Sequence, residues 1–524
     1  MIVRATTLAG VLLAASSALA APGSAGLPPA RGAVQLPPGA TFRKLCRDGS
    51  CRSLFVMRAD GTIHATAAPR GIGADDIELA YRIDTSRGDG QTVAIVDAYG
   101  YAALESDLAA YRAQFGLPPC TEASGCLTVL NEAGATSPLP PDDDGWIGET
   151  SLDVQMVSAA CPKCKIVVIQ TGAPGFHGLD FGQKVAAKLD ISAISDSWGG
   201  DENGTEPQEE GDFNNPGVGT FVSTGDNGYT GATPSYPATS NFVIAVGGTT
   251  ILASPGDPRG FREAAWGGAG SSCSTSIPKP AYQPAYAVCG MRANSDISAV
   301  ADPNTGVAVF VKQFGGWTIV GGTSAAAPIT AGLMTGAGHG DATPEFVYKH
   351  PEAFNDISTG MNGSCGTNLC NAGTAWDGPT GLGTPDQVKL AAIGNVVGAG
   401  PDITVTYPED GATVGVGFTI DVTSDAPDAQ YAVLTIDGQR VGARRFPATE
   451  FSAPFDLADG SHTVQVTAFD LDHNSKSTML TITQATATSD GGGGGGGCAA
   501  GGSGSTPGAL ALALGALLAR RQRR

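Results

Sequence analysis

Between residues 91 and 390, apolar runs of strand length alternate with helix-like stretches, and no other feature restricts the fold so tightly. The runs at 92–96, 165–169, 191–195, 219–223 and 242–246 have the length of buried strands, and amphipathic stretches at 149–160 and 182–189 lie between them. A chain of this pattern folds as an α/β domain, a parallel sheet with helices on both faces, because each parallel connection must cross back over the sheet. Ligands of such sheets bind at the carboxyl ends of the strands. The residues just after each strand are therefore the ones to examine for chemistry.

The rest of the 524 residues flank this body, which is expected to span 88–395. Residues 1–20 carry Arg4, an apolar stretch at 8–15 and Ala18-Leu19-Ala20, the pattern of an export signal with a small-residue cleavage site. A short N-terminal segment or pro-segment follows at 21–87. Residues 400–485 change character, with alternating segments at 403–407, 418–422, 431–436 and 463–469 and hairpin signals at Asp437-Gly438 and Asp459-Gly460. They predict a C-terminal all-β, immunoglobulin-like sandwich without a reactive constellation, suited to a spacer or adhesion module. A Gly-rich linker with Cys498 spans 486–508, and an apolar helix with an arginine cluster spans 509–524. At about 1.5 Å per residue that helix crosses little more than half of a ~30 Å hydrocarbon core, so it is a poor permanent anchor but a good retention signal. The tail resembles the C-terminal sorting signals of myxobacterial surface proteins, which implies cutting near Cys498 and surface attachment through that thiol.

Ten of the eleven cysteines fall into close pairs: Cys46 with Cys51, Cys120 with Cys126, Cys161 with Cys164, Cys273 with Cys289, and Cys365 with Cys370. Five local disulfides are expected, which requires an oxidising compartment and agrees with export. The net charge of −20 excludes a phosphate-backbone partner. Residues 1–90 carry ten cations against seven carboxylates and the tail four cations, so the remainder carries −27. A basic leader ahead of an acidic body suits a zymogen whose pro-segment covers an acidic surface.

Three stretches carry candidate chemistry. In Gly321-Gly322-Thr323-Ser324-Ala325-Ala326-Ala327-Pro328, small residues crowd one serine at a loop-to-helix turn, where first-turn N–H groups face any developing anion. Such a nucleophile needs a base. Subtilase-type proteases use histidine, yet His177 is the only histidine between 91 and 324 and has no His-Gly-Thr-His context. Instead, Gly148-Glu149-Thr150-Ser151-Leu152-Asp153-Val154 places two carboxylates four residues apart on one helix face; taken alone this is a solvated acidic face. The third stretch, Ser223-Thr224-Gly225-Asp226-Asn227-Gly228, follows a strand.

Together and in this order, the three resemble the sedolisin family of serine-carboxyl peptidases, over about 91–390. The resemblance implies a subtilisin-like sheet, Ser324 as nucleophile, Glu149 as its base, Asp153 orienting Glu149, and Asp226 in the oxyanion hole. Asp226 there must be protonated to donate a hydrogen bond, which points to acidic pH. Asp97 and Trp198 match positions that extend the hydrogen-bond network in some sedolisins; a turn-capping aspartate and a packing tryptophan are the structural alternatives. Asp356 and Asp377 match the family's ligands for one Ca²⁺, with carbonyls expected from Ile357, Gly373 and Ala375, an all-oxygen set suited to that ion. The loop 201–212, six carboxylates without a cation, borders the cleft and reads as a solvated loop able to favour basic substrate residues. The leader is shorter than sedolisin pro-domains.

The expected protein is thus an exported, calcium-stabilised, monomeric endopeptidase acting on proteins through an acyl-enzyme at acidic pH. One rival keeps the fold but works through Asp97, His177 and Ser324. The other is a surface adhesion protein with a catalytically idle α/β body.

Overall fold

A computed structural model describes residue 34 and residues 36–231, 233–284, 287–447 and 449–486, apart from the side chains at 176 and 177. The export signal, Cys498 and the terminal helix lie outside the described residues.

The body is built on an eight-stranded sheet. Its strands are β1 (Thr92–Ala98), β2 (Leu127–Asn131), β3 (Lys165–Thr171), β4 (Ala193–Asp196), β5 (Gly219–Ser223), β6 (Ile244–Ala253), β7 (Phe261–Ala265) and β8 (Ile297–Val300). They run in the order β7-β6-β5-β4-β1-β3-β2, with β8 also beside β6. All pairs are parallel except β6 with β7. The sheet is subtilisin-like, and the five strands anticipated from the apolar runs are β1, β3, β4, β5 and β6. Helices α1 (Asp144–Ala160) and α2 (Thr323–Ala337) pack against each other and carry the polar residues of interest into the core.

α1 departs from its amphipathic reading. Asp143 caps it, accepting from the N–H groups of Gly145 and Trp146, and every residue from Gly145 to Ala160 is buried. Glu149 and Asp153 therefore do not form a solvated acidic face. A helix enclosed all round is a core element. Part of what encloses it is the N-terminal segment: a Cβ added at Gly148 would lie 2.6 Å from the Phe55 ring.

That segment is not set apart from the body. Leu54–Met57 pairs with Thr41–Arg43 on one side and with Gly316–Gly321 on the other, in an antiparallel sheet completed by Val307–Val311. The helix Ala74–Tyr81 contributes Ile77, Ala80 and Tyr81 to the core shared with β1 and α1.

The C-terminal unit consists of two sheets. Thr404–Tyr407, Thr419–Thr423 and Thr449–Ser452 form one; Thr413–Val414, Ser475–Gln484, Gly460–Asp470, Ala429–Ile436 and Gln439–Arg445 form the other. Ile420, Phe451, Leu434, Val466 and Ile482 join them in one apolar cluster. Asp437-Gly438 closes a tight hairpin with φ of 52° and 80°, as its sequence demands. Asp459-Gly460 does not: the preceding strand Thr449–Ser452 lies in the other sheet, and Gly460 pairs with Gln484.

This unit docks on the body through polar contacts. Arg445 Nε donates to Asn214 Oδ1 (2.7 Å) and Lys349 Nζ to Asp472 Oδ1 (2.6 Å), while the Tyr431 hydroxyl donates to Asp341. In the same seam, buried His339 sets Nδ1 2.8 Å from His473 Nδ1 and Nε2 3.0 Å from the Leu390 carbonyl oxygen.

The five local disulfides form as the spacing anticipates. Cys46 bonds to Cys51 and Cys120 to Cys126, with sequence separations of 5 and 6. Cys161 bonds to Cys164 at a separation of 3, Cys273 to Cys289 at 16, and Cys365 to Cys370 at 5. Cys161 and Cys164 clip the end of α1 to the start of β3, and Cys289 ties its loop back to Cys273 on the strand Ser271–Pro278. Among the described residues, no helix is long and apolar enough to cross a membrane.

Candidate active site

The sequence-predicted catalytic residues converge at the carboxyl ends of the parallel strands. Asp97 is the sixth residue of β1; Asp226 follows β5 by three residues; Ser324 opens α2; Glu149 and Asp153 project from α1 one turn apart. Asp97, Glu149, Asp153 and Ser324 are all 0 % exposed.

Burial dominates their electrostatics, since removing a carboxylate from water disfavours its charged form. It pushes Glu149 up to about 8, with the charge of Asp97 adding to it and the Ser324 and Ser53 hydroxyls opposing it. Burial likewise raises Asp97 to about 7, opposed by the Thr150 hydroxyl. Asp153 stands well above the carboxylate range, through burial first and then the charges of Asp97 and Glu149. Carboxyls this close share protons, so at least one is neutral over a wide pH range. A hydroxyl beside such a group can pass it a proton.

Ser324 Oγ donates to the Ser197 carbonyl oxygen at 3.3 Å. Asp226 Oδ1 accepts from the Thr323 N–H (2.8 Å) and the Thr323 hydroxyl (3.0 Å), and Lys44 Nζ lies 3.6 Å from its Oδ2. Asp226 thus sits beside the nucleophile turn, but in this form it accepts hydrogen bonds where the oxyanion role needs it to donate. Trp198 is buried, and its indole N–H donates to the Val96 carbonyl oxygen (3.1 Å), tying the cleft segment to β1.

Two features escape sequence reasoning. Asp196, fully buried at the end of β4, is held well above the carboxylate range by burial and then by Asp97. Its position at a strand end was the available signal. The second is the N-terminal segment: the Ser53 hydroxyl donates to Glu149 Oε2, and Lys44 reaches Asp226. No local pattern announces contacts that join positions about a hundred residues or more apart. The stretch 201–212 is not a solvated loop: Glu206–Phe213 is helical, and most of its carboxylates are engaged, Glu202 accepting from Thr239, Ser274 and Thr275, and Glu206 from Ser276. Asp201 instead lines the cleft with Trp198, Gly199 and Arg52.

The expected calcium loop brings its two aspartates to one place. Ala375 N–H donates to Asp356 Oδ2 (3.1 Å), and Gly373 N–H to Asp377 Oδ2 (3.0 Å). Burial, assisted by the charge of Asp356, raises Asp377 to about 7. Ala375 takes a φ of 65°, the left-handed conformation that glycine adopts more readily. Two confronted carboxylates in a carbonyl-rich loop are hard oxygen donors and fit Ca²⁺. Among the described residues no group of three or more His, Cys, Asp or Glu is placed to hold a metal, so such an ion would lean on backbone carbonyls.

With this geometry in view, the likenesses to known proteins are specific. The subtilase family model (Peptidase S8) matches residues 141–338. Kumamolisin of Bacillus sp. (strain MN-32) is 32 % identical over 375 residues, covering 64 % of this chain and 66 % of kumamolisin. Sedolisin of Pseudomonas sp. (strain 101) is 28 % identical, covering 57 % of each chain. Tripeptidyl-peptidase sed1 of Aspergillus fumigatus is 33 % identical over 33 % of this chain and 35 % of its own length. The chain thus spans just under two thirds of kumamolisin and less of the others. Among solved structures, Pseudomonas sedolisin, a serine-carboxyl proteinase complexed with two molecules of pseudo-iodotyrostatin, superposes with a TM-score of 0.53 at 26 % identity, covering 63 % of this chain and 98 % of that one. These likenesses support the sedolisin family for the α/β body and indicate a serine-type peptidase, a hydrolase.

Proposed function

We propose that the protein is an exported serine-carboxyl peptidase that hydrolyses peptide bonds of proteins at acidic pH. The observation that carries this reading is Glu149, enclosed on α1 and raised by burial, with the Ser324 hydroxyl among the groups that favour its charged form. Ser324 Oγ attacks the substrate carbonyl carbon while Glu149, in the state of the coupled carboxyls that leaves it ionised, takes its proton, and Asp153, one turn along, orients Glu149. The peptide C–N bond breaks as Glu149 returns the proton to the leaving nitrogen, and water then hydrolyses the ester. Asp226, beside the nucleophile turn, would serve the oxyanion, a role that requires it to turn from accepting to donating a hydrogen bond. Asp97, Asp196 and Trp198 support the carboxyl network. Ca²⁺, held by Asp356, Asp377 and the carbonyls of Ile357, Gly373 and Ala375, would neutralise the facing carboxylates and stiffen that loop. The C-terminal unit we read as an immunoglobulin-like spacer, and the tail beyond it, with Cys498, as a surface attachment signal.

Casein hydrolysis across pH 3–9 tests the reading with wild type, Glu149→Ala, His177→Ala and Ser324→Ala. Activity confined to acid and lost in Glu149→Ala and Ser324→Ala is expected. Survival of Glu149→Ala together with loss in His177→Ala would transfer the chemistry to the histidine route. For the metal, a chelator should lower the melting temperature by several degrees, the effect of a ligand present at ~100 times its Kd. An unchanged melting temperature would remove calcium from the account.

A further inference from the structure

We propose that the Arg52–Ser53 peptide bond is the protein's own first substrate, and that the pocket around the Arg52 side chain makes arginine the preferred residue on the acyl side of bonds cleaved in other proteins. This rests on the peptidase reading of Ser324.

Residues 50–53 run through the cleft extended, in antiparallel alignment with 197–199. Arg52 N–H donates to the Ser197 carbonyl oxygen (3.2 Å), Gly199 N–H donates to the Ser50 carbonyl oxygen (3.1 Å), and Cys51 bridges Trp198 between them. This is how an extended peptide is aligned along a sheet-like binding edge. The Arg52 carbonyl oxygen accepts from the backbone N–H of Ser324 (3.2 Å), the nucleophile's own amide at the start of α2. Gly322 makes that approach possible: its φ is 100°, and an added Cβ would lie 2.0 Å from the Arg52 oxygen. On the other side of the bond, the Ser53 hydroxyl donates to Glu149. One peptide unit thus has its carbonyl on an oxyanion donor and its leaving side against the base.

The side chain of Arg52 is 6 % exposed. Its Nη2 donates to Ser235 Oγ (3.0 Å), and the guanidinium lies over glycine backbone: a Cβ at Gly199 would meet Nη2 at 3.3 Å and one at Gly225 would meet Nη1 at 3.5 Å. Asp226, Asp201 and Glu149 face its charge, with Lys44 the facing cation. Glycine walls leave room for a long planar head, and the facing carboxylates offset part of the desolvation that burial imposes on it.

In the cleavage, a bond forms between Ser324 Oγ and the Arg52 carbonyl carbon as the Oγ proton moves to Glu149. The Arg52 C to Ser53 N bond breaks, and Glu149 gives that proton to the Ser53 nitrogen. Water then hydrolyses the ester, restoring the Ser324 hydroxyl and leaving an Arg52 carboxylate and a Ser53 amine. The Cys46–Cys51 disulfide lies wholly on the acyl side of the bond. The released piece, which carries Lys44, is held only by non-covalent contacts such as the pairing of Thr41–Arg43 with Phe55–Met57.

The test incubates the purified full chain at pH 4 and follows it by intact mass and N-terminal sequencing. A new terminus at Ser53 is expected in wild type and not in Ser324→Ala, and its appearance should slow at least about tenfold in Arg52→Gln. On processed enzyme, peptide nitroanilides ending in Arg should exceed those ending in Leu or Phe at least about tenfold in kcat/KM, and Asp201→Asn should narrow that ratio. Casein hydrolysis by a chain that stays intact at 52–53 overturns self-cleavage while leaving the peptidase reading standing. Processing at Ser53 with no arginine preference overturns the pocket assignment. A wild-type protein that cleaves neither casein nor itself at any pH refutes the peptidase reading beneath both.

Discussion

The cleft and the seam under the C-terminal unit both bury titratable groups, and they respond to acid in opposite directions. In the cleft the groups are carboxyls, Asp97, Glu149, Asp153 and Asp196, whose values burial raises. In the seam the group is His339, which burial and then the charge of His473 lower to about 4. A raised carboxyl binds its proton more tightly in the folded state. Its stabilisation is complete below the ordinary carboxyl range near 4 and is lost as pH rises through about 7 to 8. A lowered histidine resists protonation in the folded state, so its contribution is complete above about 6.5 and is lost as pH falls toward 4. The Leu390 carbonyl can only accept, so in the neutral ring His339 Nε2 donates to it and Nδ1 is left to accept from His473. Protonating His339 turns its Nδ1 into a donor, so His473 must change tautomer to face it. One molecule therefore couples a carboxyl cluster whose protonation acid favours to a seam that acid weakens.

Breaking the cleft side should have the largest effect. Glu149→Gln should lower casein hydrolysis by roughly 10²–10⁴-fold, the usual contribution of a general base, and also reduce the loss of melting temperature between pH 4 and 8. If activity falls but that slope is unchanged, the pH response does not originate in the carboxyl cluster. On the seam side, His339→Ala should cost about 1–3 kcal/mol at pH 7, because it strands the buried Leu390 carbonyl and leaves His473 Nδ1 only Asp341 Oδ1, at 3.1 Å. Urea unfolding at pH 7 and 4.5 should show that deficit shrinking in acid; a deficit equal at both values would mean His339 is not the titrating member. The smallest change sharpens the contrast with a seam group that does not titrate in this range. Tyr431→Phe removes the bond to Asp341 and should cost about 0.5–1.5 kcal/mol equally at both pH values.

How much of this the sequence disclosed depended on how local each signal was. β5 matches its apolar run at 219–223, and Asp437-Gly438 turns as its φ preferences require, because both are written in a few adjacent residues. The cysteine pairs were legible for the same reason, Cys126, Cys164 and Cys370 each lying within six residues of the partner they bond. The spacing of Glu149 and Asp153 was equally plain, but their burial was not, since it depends on Phe55, α2 and β1 closing around α1. The same holds for the segment 44–53. Its sequence reads as part of a basic leader, and only pairing with Ser197, Gly199 and Ser324, more than a hundred residues away, lays it along the cleft. Asp459-Gly460 shows the opposite failure, a local hairpin signal overridden by the crossing from one sheet to the other.

The short span of the disulfides carries one more consequence. Among the described residues no bridge joins positions more than 16 apart, the span from Cys273 to Cys289, so each ring can close while that stretch of chain is emerging, before any distant strand exists to guide it. Pairing errors then require a cysteine to bypass its nearest neighbour. Correct oxidation is thus built into chain order and asks little of a reshuffling catalyst, whereas the arrangement of the finished parts is left to packing alone.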